Sequence, residues 1–198
     1  MDLKSIVLCG VGGQGILLAA KIIGKAAELA GLDVMANETH GMAQRGGSVR
    51  AFVRFGSHVG SPLVREGTAD AIGALEPVEA LRWAHYLAPG AMAVVNTRAV
   101  VPVTVSSGKA TYPADVAERL QRAFPRLVAC DCDAEAERMG NAKLSNTILV
   151  GMLSRALDFE TGVWHAAIEK SVKPQFVEAN RGAFDFGRAR AGGAQAAG

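Results

Sequence analysis

Residues 5–37 read SIVLCGVGGQGILLAAKIIGKAAELAGLDVMAN, and this stretch decides the fold. It opens with a short continuous apolar run ending at Gly10, the pattern of a strand buried on both faces of a parallel sheet. Next comes GVGGQG, then a helical stretch from Ile16 with a stop signal at Gly31. Its polar residues Lys21, Lys25 and Glu28 form one narrow stripe, so the helix is expected to be buried nearly all round. DVMAN then begins a second strand, completing a β-α-β unit.

The same alternation continues along the chain. SVRAFVRF (48–55) alternates apolar with polar residues and reads as a half-exposed strand, antiparallel or at an edge. DAIGAL (70–75), AMAVVNT (91–97) and LVACDC (127–132) read as further strands. Helices are expected over EPVEALRWAHYL with proline at its first position, PADVAERLQRAF, SNTILVGMLSRAL, TGVWHAAIEKSV and PQFVEANRGAFDF, the last stopped by Gly187. The expected fold is α/β: a Rossmann-like three-layer sandwich with a mostly parallel sheet plus an antiparallel strand pair. One domain is expected over 1–187, with 188–198 a flexible Gly/Ala-rich tail.

Composition narrows the function. The chain has 198 residues, 49% hydrophobic and 20% charged, which is a globular balance. A net charge of +2 gives no basic footprint for nucleic acid. No stretch is long and apolar enough to span a membrane, and the N-terminus enters a strand directly, so a cytoplasmic protein is expected. Cys9 lies in an apolar run and reads as a core residue. Cys130 and Cys132 flank Asp131 in the expected strand and would share a face. Three cysteines are too few for a four-cysteine iron–sulfur cluster, and no partners stand at zinc-ligand spacing.

Two segments carry the chemistry. Gly10, Gly12, Gly13, Gln14 and Gly15 lie between strand and helix, where glycines permit a tight turn and the helix start offers N–H groups to a phosphate. The same glycines also allow plain close packing, and Gln14 could reach a ligand or cap the helix. Glu38 lies about where a dinucleotide-binding protein keeps its ribose-binding acid. The second segment, ETHGMAQRGGSV (38–49), has neither helical nor strand periodicity. Its Glu38, His40, Gln44, Arg45 and Ser48, with three glycines among them, suit contact with a ligand or partner, Arg45 as an anion clamp. Arg50 and Arg54 read as solvated or at an interface. NAKLSNT (141–147) offers a helix cap in Asn141 or Ser145, and Asn141, Ser145 and Asn146 as a second ligand contact. His58, His85 and His165 are isolated and are assigned no chemistry.

Five blocks in order, GVGGQGILLAAKII, ETHGMAQRGGSVRAFVRFG, SPLVREGTADAIGALEPVEALR, NAKLSNTILVG and EANRGAFDFG, resemble the gamma-type domain of the 2-oxoacid:ferredoxin oxidoreductases, in particular the small subunit of its indolepyruvate branch. The resemblance spans about residues 4–187. It implies a subunit, inactive alone, of an enzyme that oxidatively decarboxylates a 2-oxoacid, transfers the acyl group to coenzyme A and passes electrons to ferredoxin. It places thiamine diphosphate and the iron–sulfur clusters in a large partner subunit, with coenzyme A as the ligand this chain would touch. The loop at 38–49, the apolar first helix and the Arg50/Arg54 face would then be interface surfaces. Two other readings remain open from the residues: a stand-alone dinucleotide-dependent dehydrogenase, and a binding module without activity. A bulkier residue in place of Gly12 separates them. The expected outcome is an intact fold by circular dichroism with turnover of the assembled complex lost; unchanged assembly and turnover would defeat the phosphate reading.

Overall fold

The apolar run of the opening stretch forms the middle of the sheet. In the computed structural model, which describes residues 2–40, 46–100 and 112–194, strand β1 (Lys4–Val11) is flanked on both sides, and Ile6, Val7, Leu8 and Cys9 are fully buried. Helix α1 (Ile16–Leu29) follows, and Gly31, at φ 77°, ends it with its N–H on the Glu28 carbonyl. Strand β2 (Asp33–His40) runs in the direction of β1 but does not pair with it. Strand β3 (Ser48–Gly56) lies between them, antiparallel to both, with Val11 opposite Ser48 and His40 opposite Val49. The expected β-α-β unit is therefore split by a reversed strand. On the other side of β1 come β4 (Ala69–Ala74), β5 (Leu87–Asn96) and β6 (Leu127–Cys130), all parallel. The sheet order is β2-β3-β1-β4-β5-β6, a mixed sheet with five strands in one direction.

The reversed strand explains its own alternation. Val49, Ala51, Val53 and Phe55 of β3 face the larger core beneath α1. Arg50 and Arg54 lie on the opposite face, yet neither is a free surface group. Arg50 stacks its guanidinium 4.4 Å from the Phe52 ring centre and 4.3 Å from that of Trp83. Arg54 donates to the Ser61 and Leu63 carbonyls at 2.7 and 3.0 Å and to Ser5 Oγ at 3.2 Å. The edge is β2, not β3.

Helices cover both faces. Helices α2 (Pro77–Trp83) and α3 (Val116–Ala123) pack over one, with Val7, Ile72, Val95 and Phe124 beneath. Glu76 caps α2 by accepting from Glu79 N at 2.9 Å, with proline at the first helical position as the sequence led one to expect. The other face carries α1 and α5 (Ser145–Leu153), backed by α6 (Thr161–Ser171) and α7 (Val177–Ala194). Helix α1 spends its apolar surface inside this layer, against β1, β3 and α6. Its long apolar sequence is thus accounted for by intramolecular burial, and only Leu17 and Leu29 remain as exposed large hydrophobic side chains on it.

Two details differ from the sequence reading. Strand β6 stops at Cys130; Asp131 caps helix α4 (Cys132–Arg138) by accepting from Ala134 N at 2.9 Å, so Cys132 is helical. Gly187 does not stop the last helix, which runs to Ala194, with Ala191 1% exposed. The helix end expected at Gly187 therefore moves outward. Gly187 is there for contact: a Cβ on it would meet the Ile148 carbonyl oxygen at 2.1 Å, and one on Gly151 would meet the Phe184 oxygen at 2.1 Å. The pair lets α5 and α7 approach backbone to backbone. No helix among the described residues is long and apolar enough to cross a membrane.

Two glycines of α7, Gly182 and Gly187, should respond oppositely to alanine. Gly182 has open space where its Cβ would be, so Gly182→Ala is expected to stabilise by about 0.5–1 kcal/mol. Gly187→Ala forces the helices apart and is expected to destabilise by about 1–3 kcal/mol or more. Urea unfolding midpoints of the two variants provide the check.

Candidate functional site: a crevice at the carboxyl end of the sheet

The glycine loop turns off β1 at the sheet's carboxyl end, where ligands of open α/β sheets bind. Gln14 holds it in place. Its Oε1 accepts from Val11 N at 2.7 Å, and its Nε2 donates to the Leu75 carbonyl just beyond β4 at 2.7 Å. Gln14 therefore ties two strand ends together and does not cap α1, whose N-cap is Gly15. Gly12 N donates to the Gly47 carbonyl at 2.9 Å, joining the loop to the start of β3. Gly15 sits at φ 84°, and a Cβ on it would meet Asn146 Nδ2 at 2.3 Å, so glycine is required twice over. No side chain caps α1 and no acidic residue occupies its first turn, which leaves that turn's N–H groups to an anion.

The second sequence motif meets the first. Asn146, 4% exposed, donates from Nδ2 to the Gly15 carbonyl at 3.1 Å. Thr147 Oγ1 donates to Asn180 Oδ1 at 2.7 Å, carrying the connection into α7. Asn141 is a cap, as one of the two expected: its side chain accepts from Lys143 N at 3.0 Å at the start of a 3-10 turn, Ala142–Leu144. Ser145 begins α5 and donates to the Ala142 carbonyl at 3.4 Å. Between the motifs lies a crevice of about 680 Å³. Gly13, Gln14, Gly15 and Leu18 form one wall, Ala142, Lys143, Ser145 and Asn146 another.

The remaining wall was missed in the sequence: Arg98, Ala99 and Val100 after β5, and Asp133 and Glu137 on α4. The signal was available, because segments following β5 and β6 reach the same end of a parallel sheet. Asn96 anchors this wall. It is fully buried, donates to the Leu75 carbonyl at 3.1 Å and to Asp133 Oδ2 at 2.6 Å, and accepts from Cys132 N at 2.9 Å. Arg98 Nη2 lies 4.0 Å from Glu137 Oε1.

The loop at 38–49 is only partly described. Gln44 and Arg45 fall outside the described residues, and His40 ends β2 opposite Val49. Glu38 is exposed and pairs with Ala51, which pairs with Leu8. It is thus two strands, roughly 10 Å, from β1 and level with the strand's middle, away from the glycine turn. The inserted β3 removes the acid on which a dinucleotide reading depended. Ser48 instead donates to Glu79 Oε2, which also receives Trp83 Nε1 at 3.2 Å, while Glu79 Oε1 receives Arg82 Nε at 3.1 Å.

Glu79 and Glu76, 6% and 1% exposed, form a buried acidic cluster on the α2 side of the sheet. Tyr112 donates to Glu76 Oε1 at 2.6 Å; burial, together with that bond, pushes its phenol well above its usual range. Burial, then the charges of Glu79 and Glu76, push the Cys9 thiol up, so Cys9 is held as a neutral core group. Among the described residues, no group of three or more His, Cys, Asp or Glu is placed to hold a metal ion.

Gln14→Ala tests whether the loop is built as described. It strips the buried Val11 N–H of its acceptor, a loss expected to cost about 1–3 kcal/mol. Faster hydrogen exchange at Val11, with exchange in α7 unchanged, is the expected signature.

Comparison with known proteins places this geometry. Residues 5–190 match the pyruvate ferredoxin/flavodoxin oxidoreductase family model. The chain is 42% identical over 187 residues to the indolepyruvate oxidoreductase subunit IorB of Archaeoglobus fulgidus, covering 92% of each. It is 44% identical to the corresponding subunit of Pyrococcus horikoshii, covering 92% of this chain and 93% of that one. Among solved structures, the keto/oxoacid ferredoxin oxidoreductase gamma subunit of Geobacter sulfurreducens superposes with a TM-score of 0.70 at 23% identity, covering 95% and 98% of the two chains. A 2-oxoglutarate:ferredoxin oxidoreductase from Magnetococcus marinus, with 2-oxoglutarate, coenzyme A and succinyl-CoA bound, gives 0.70 at 21% identity over 98% of this chain and 32% of its own. At these identities the two structures speak to the shared fold. The sequence matches speak to descent: the chain belongs to the pyruvate ferredoxin/flavodoxin oxidoreductase family.

Proposed function

We propose that the chain is the small, gamma-type subunit of a cytoplasmic 2-oxoacid:ferredoxin oxidoreductase that converts indolepyruvate or a related aryl 2-oxoacid to its acyl-CoA. The larger partner subunit carries thiamine diphosphate and the iron–sulfur clusters, and ferredoxin takes the electrons through the complex. Near-full-length identity to indolepyruvate oxidoreductase subunits supports the branch. With three cysteines, this chain has too few for a four-cysteine cluster, which agrees with clusters held elsewhere.

One observation carries the ligand assignment: the glycine loop and the 141–147 motif, far apart in sequence, wall a single crevice. The uncapped first turn of α1 supplies N–H donors, and Lys143 and Arg98 bring positive charge to the same space. That chemistry suits the phosphates of coenzyme A. Asp133 and Glu137 make the wall mixed in charge, so the crevice favours a ligand that also presents donors. Gly10 and Gly12 shape the turn, Gly13 and Gly15 border the ligand, and Gln14 and Asn146 hold the walls apart at fixed distance. The segment 38–49, with Glu38, His40, Gln44, Arg45 and Ser48, is assigned to contact with the partner or ligand on its sequence alone.

The test is purification of the tagged chain without oxygen from its native host, followed by assay of coenzyme A-dependent dye reduction with indolepyruvate and phenylpyruvate. A brown thiamine-containing partner with turnover is expected; a lone colourless, inactive chain would sink the proposal. In that complex, Lys143→Ala should raise KM for coenzyme A by about tenfold with kcat held, since a hydrogen bond to a charged group contributes on the order of 1.5–3 kcal/mol.

A further inference from the structure

Gln14 and the Leu75 carbonyl fix the glycine turn on its β4 side. On its β3 side the turn is held by one backbone bond, from Gly12 N to the Gly47 carbonyl at 2.9 Å. Ser48, the residue after Gly47, opens β3 opposite Val11. Whatever holds Ser48 therefore holds this side of the turn. Ser48 and Arg50 share one face of β3, and both meet α2. Ser48 Oγ donates to Glu79 Oε2, and Trp83 Nε1 donates to the same oxygen at 3.2 Å. The Arg50 guanidinium lies over the Trp83 ring, 4.3 Å from its centre.

Helix capping does not account for Glu79. The start of α2 is already capped by Glu76, which accepts from Glu79 N. A glutamate three residues after a cap ordinarily reaches back to the N–H of the capping residue. Glu79 gives its oxygens instead to Ser48, Trp83 and Arg82. It does so almost fully buried, where a carboxylate is costly unless its oxygens are filled. We propose that Glu79 is a positioning residue for the glycine turn, acting through Ser48 on the Gly47 carbonyl and so on Gly12.

This role rests on the assignment of coenzyme A to the crevice and deepens it. The amides of the turn alternate in use. Gly12 N is taken by Gly47, and Gln14 N by the Val11 carbonyl at 3.1 Å. Gly13 and Gly15, at φ 103° and 84°, border the crevice, and among the described residues their N–H groups meet no acceptor. Successive N–H groups in such a turn form a concavity for an anion. The bond from Gly12 to Gly47 fixes the peptide next to Gly13, and with it the direction in which the open donors face. Loosening that bond weakens the hold on the ligand. It leaves untouched the chemistry carried by the partner subunit, so the effect falls on KM and not on kcat.

The test uses the purified complex carrying Ser48→Ala, Ser48→Thr or Glu79→Gln, assayed with coenzyme A varied. Ser48→Ala should raise KM for coenzyme A roughly three- to tenfold with kcat held, the factor one hydrogen bond carries. Ser48→Thr keeps the hydroxyl in a residue that suits a strand and should restore KM. Glu79→Gln should follow Ser48→Ala, because an amide offers one accepting oxygen where the carboxylate uses two. In the full-length chain alone, hydrogen exchange followed by NMR should quicken at Gly12 in Ser48→Ala and stay unchanged at Val11, which Gln14 holds. A general loss of stability moves both amides together. That result, or an unchanged KM in Ser48→Ala, would overturn the proposal. Lys143→Ala, measured alongside, separates the two possible failures. If it raises KM, coenzyme A occupies the crevice and only the positioning role falls; if KM stays unmoved there too, the crevice assignment has failed.

Discussion

The carbonyl oxygen of Leu75 is the point on which the carboxyl end of the sheet depends. It accepts from Gln14 Nε2 on one side and from Asn96 Nδ2 on the other. One oxygen thus joins the loop after β1, the end of β4 and the end of β5. Gln14 passes the constraint to Val11, and Asn96 passes it to Asp133 and the first turn of α4. Buried amides used this way are costly to break, because each lost partner leaves another polar group unsatisfied in a low-dielectric setting. The crevice is the space this knot leaves between the glycine turn, α4 and the start of α5. Hydrogen bonds through Leu75, Gln14 and Asn96 fix the strand ends around it.

The fold was legible where sequence pattern maps onto one element. The apolar run ending at Gly10, the helix ending at Gly31 and the proline-led α2 all appear as read. Pairing order was not legible. Nothing local in SVRAFVRF says that it inserts between β1 and β2; that follows from how the chain closes the sheet. The cost of the omission was specific, since Glu38 suited a ribose contact only if β2 lay beside β1. Gly187 misled for a similar reason: a glycine that ends a helix and one that admits a neighbouring backbone look alike until the neighbour, the Ile148 carbonyl on α5, is in place.

For the site, the sequence identified both motifs and could not join them. Gly15 and Asn146 are 131 positions apart and touch. Gln14 was the ambiguous residue of the first motif, and its amide proves to hold backbone together. Arg98, Asp133 and Glu137 carried no motif of their own; only their position beyond β5 and β6 brings them to the crevice. Arg50 and Arg54, read as solvated or interfacial, are tied down within the chain by aromatic rings and carbonyls.

The claim that ties fold to function is that coenzyme A enters the crevice between the glycine loop and the start of α5. Hydrogen exchange of this chain within the purified complex, measured with and without coenzyme A, tests it most directly. The account predicts new protection confined to residues 13–19 and 142–149, the backbone on either side of the Gly15–Asn146 contact. Protection that appears elsewhere in the complex, with both segments unchanged, would contradict it.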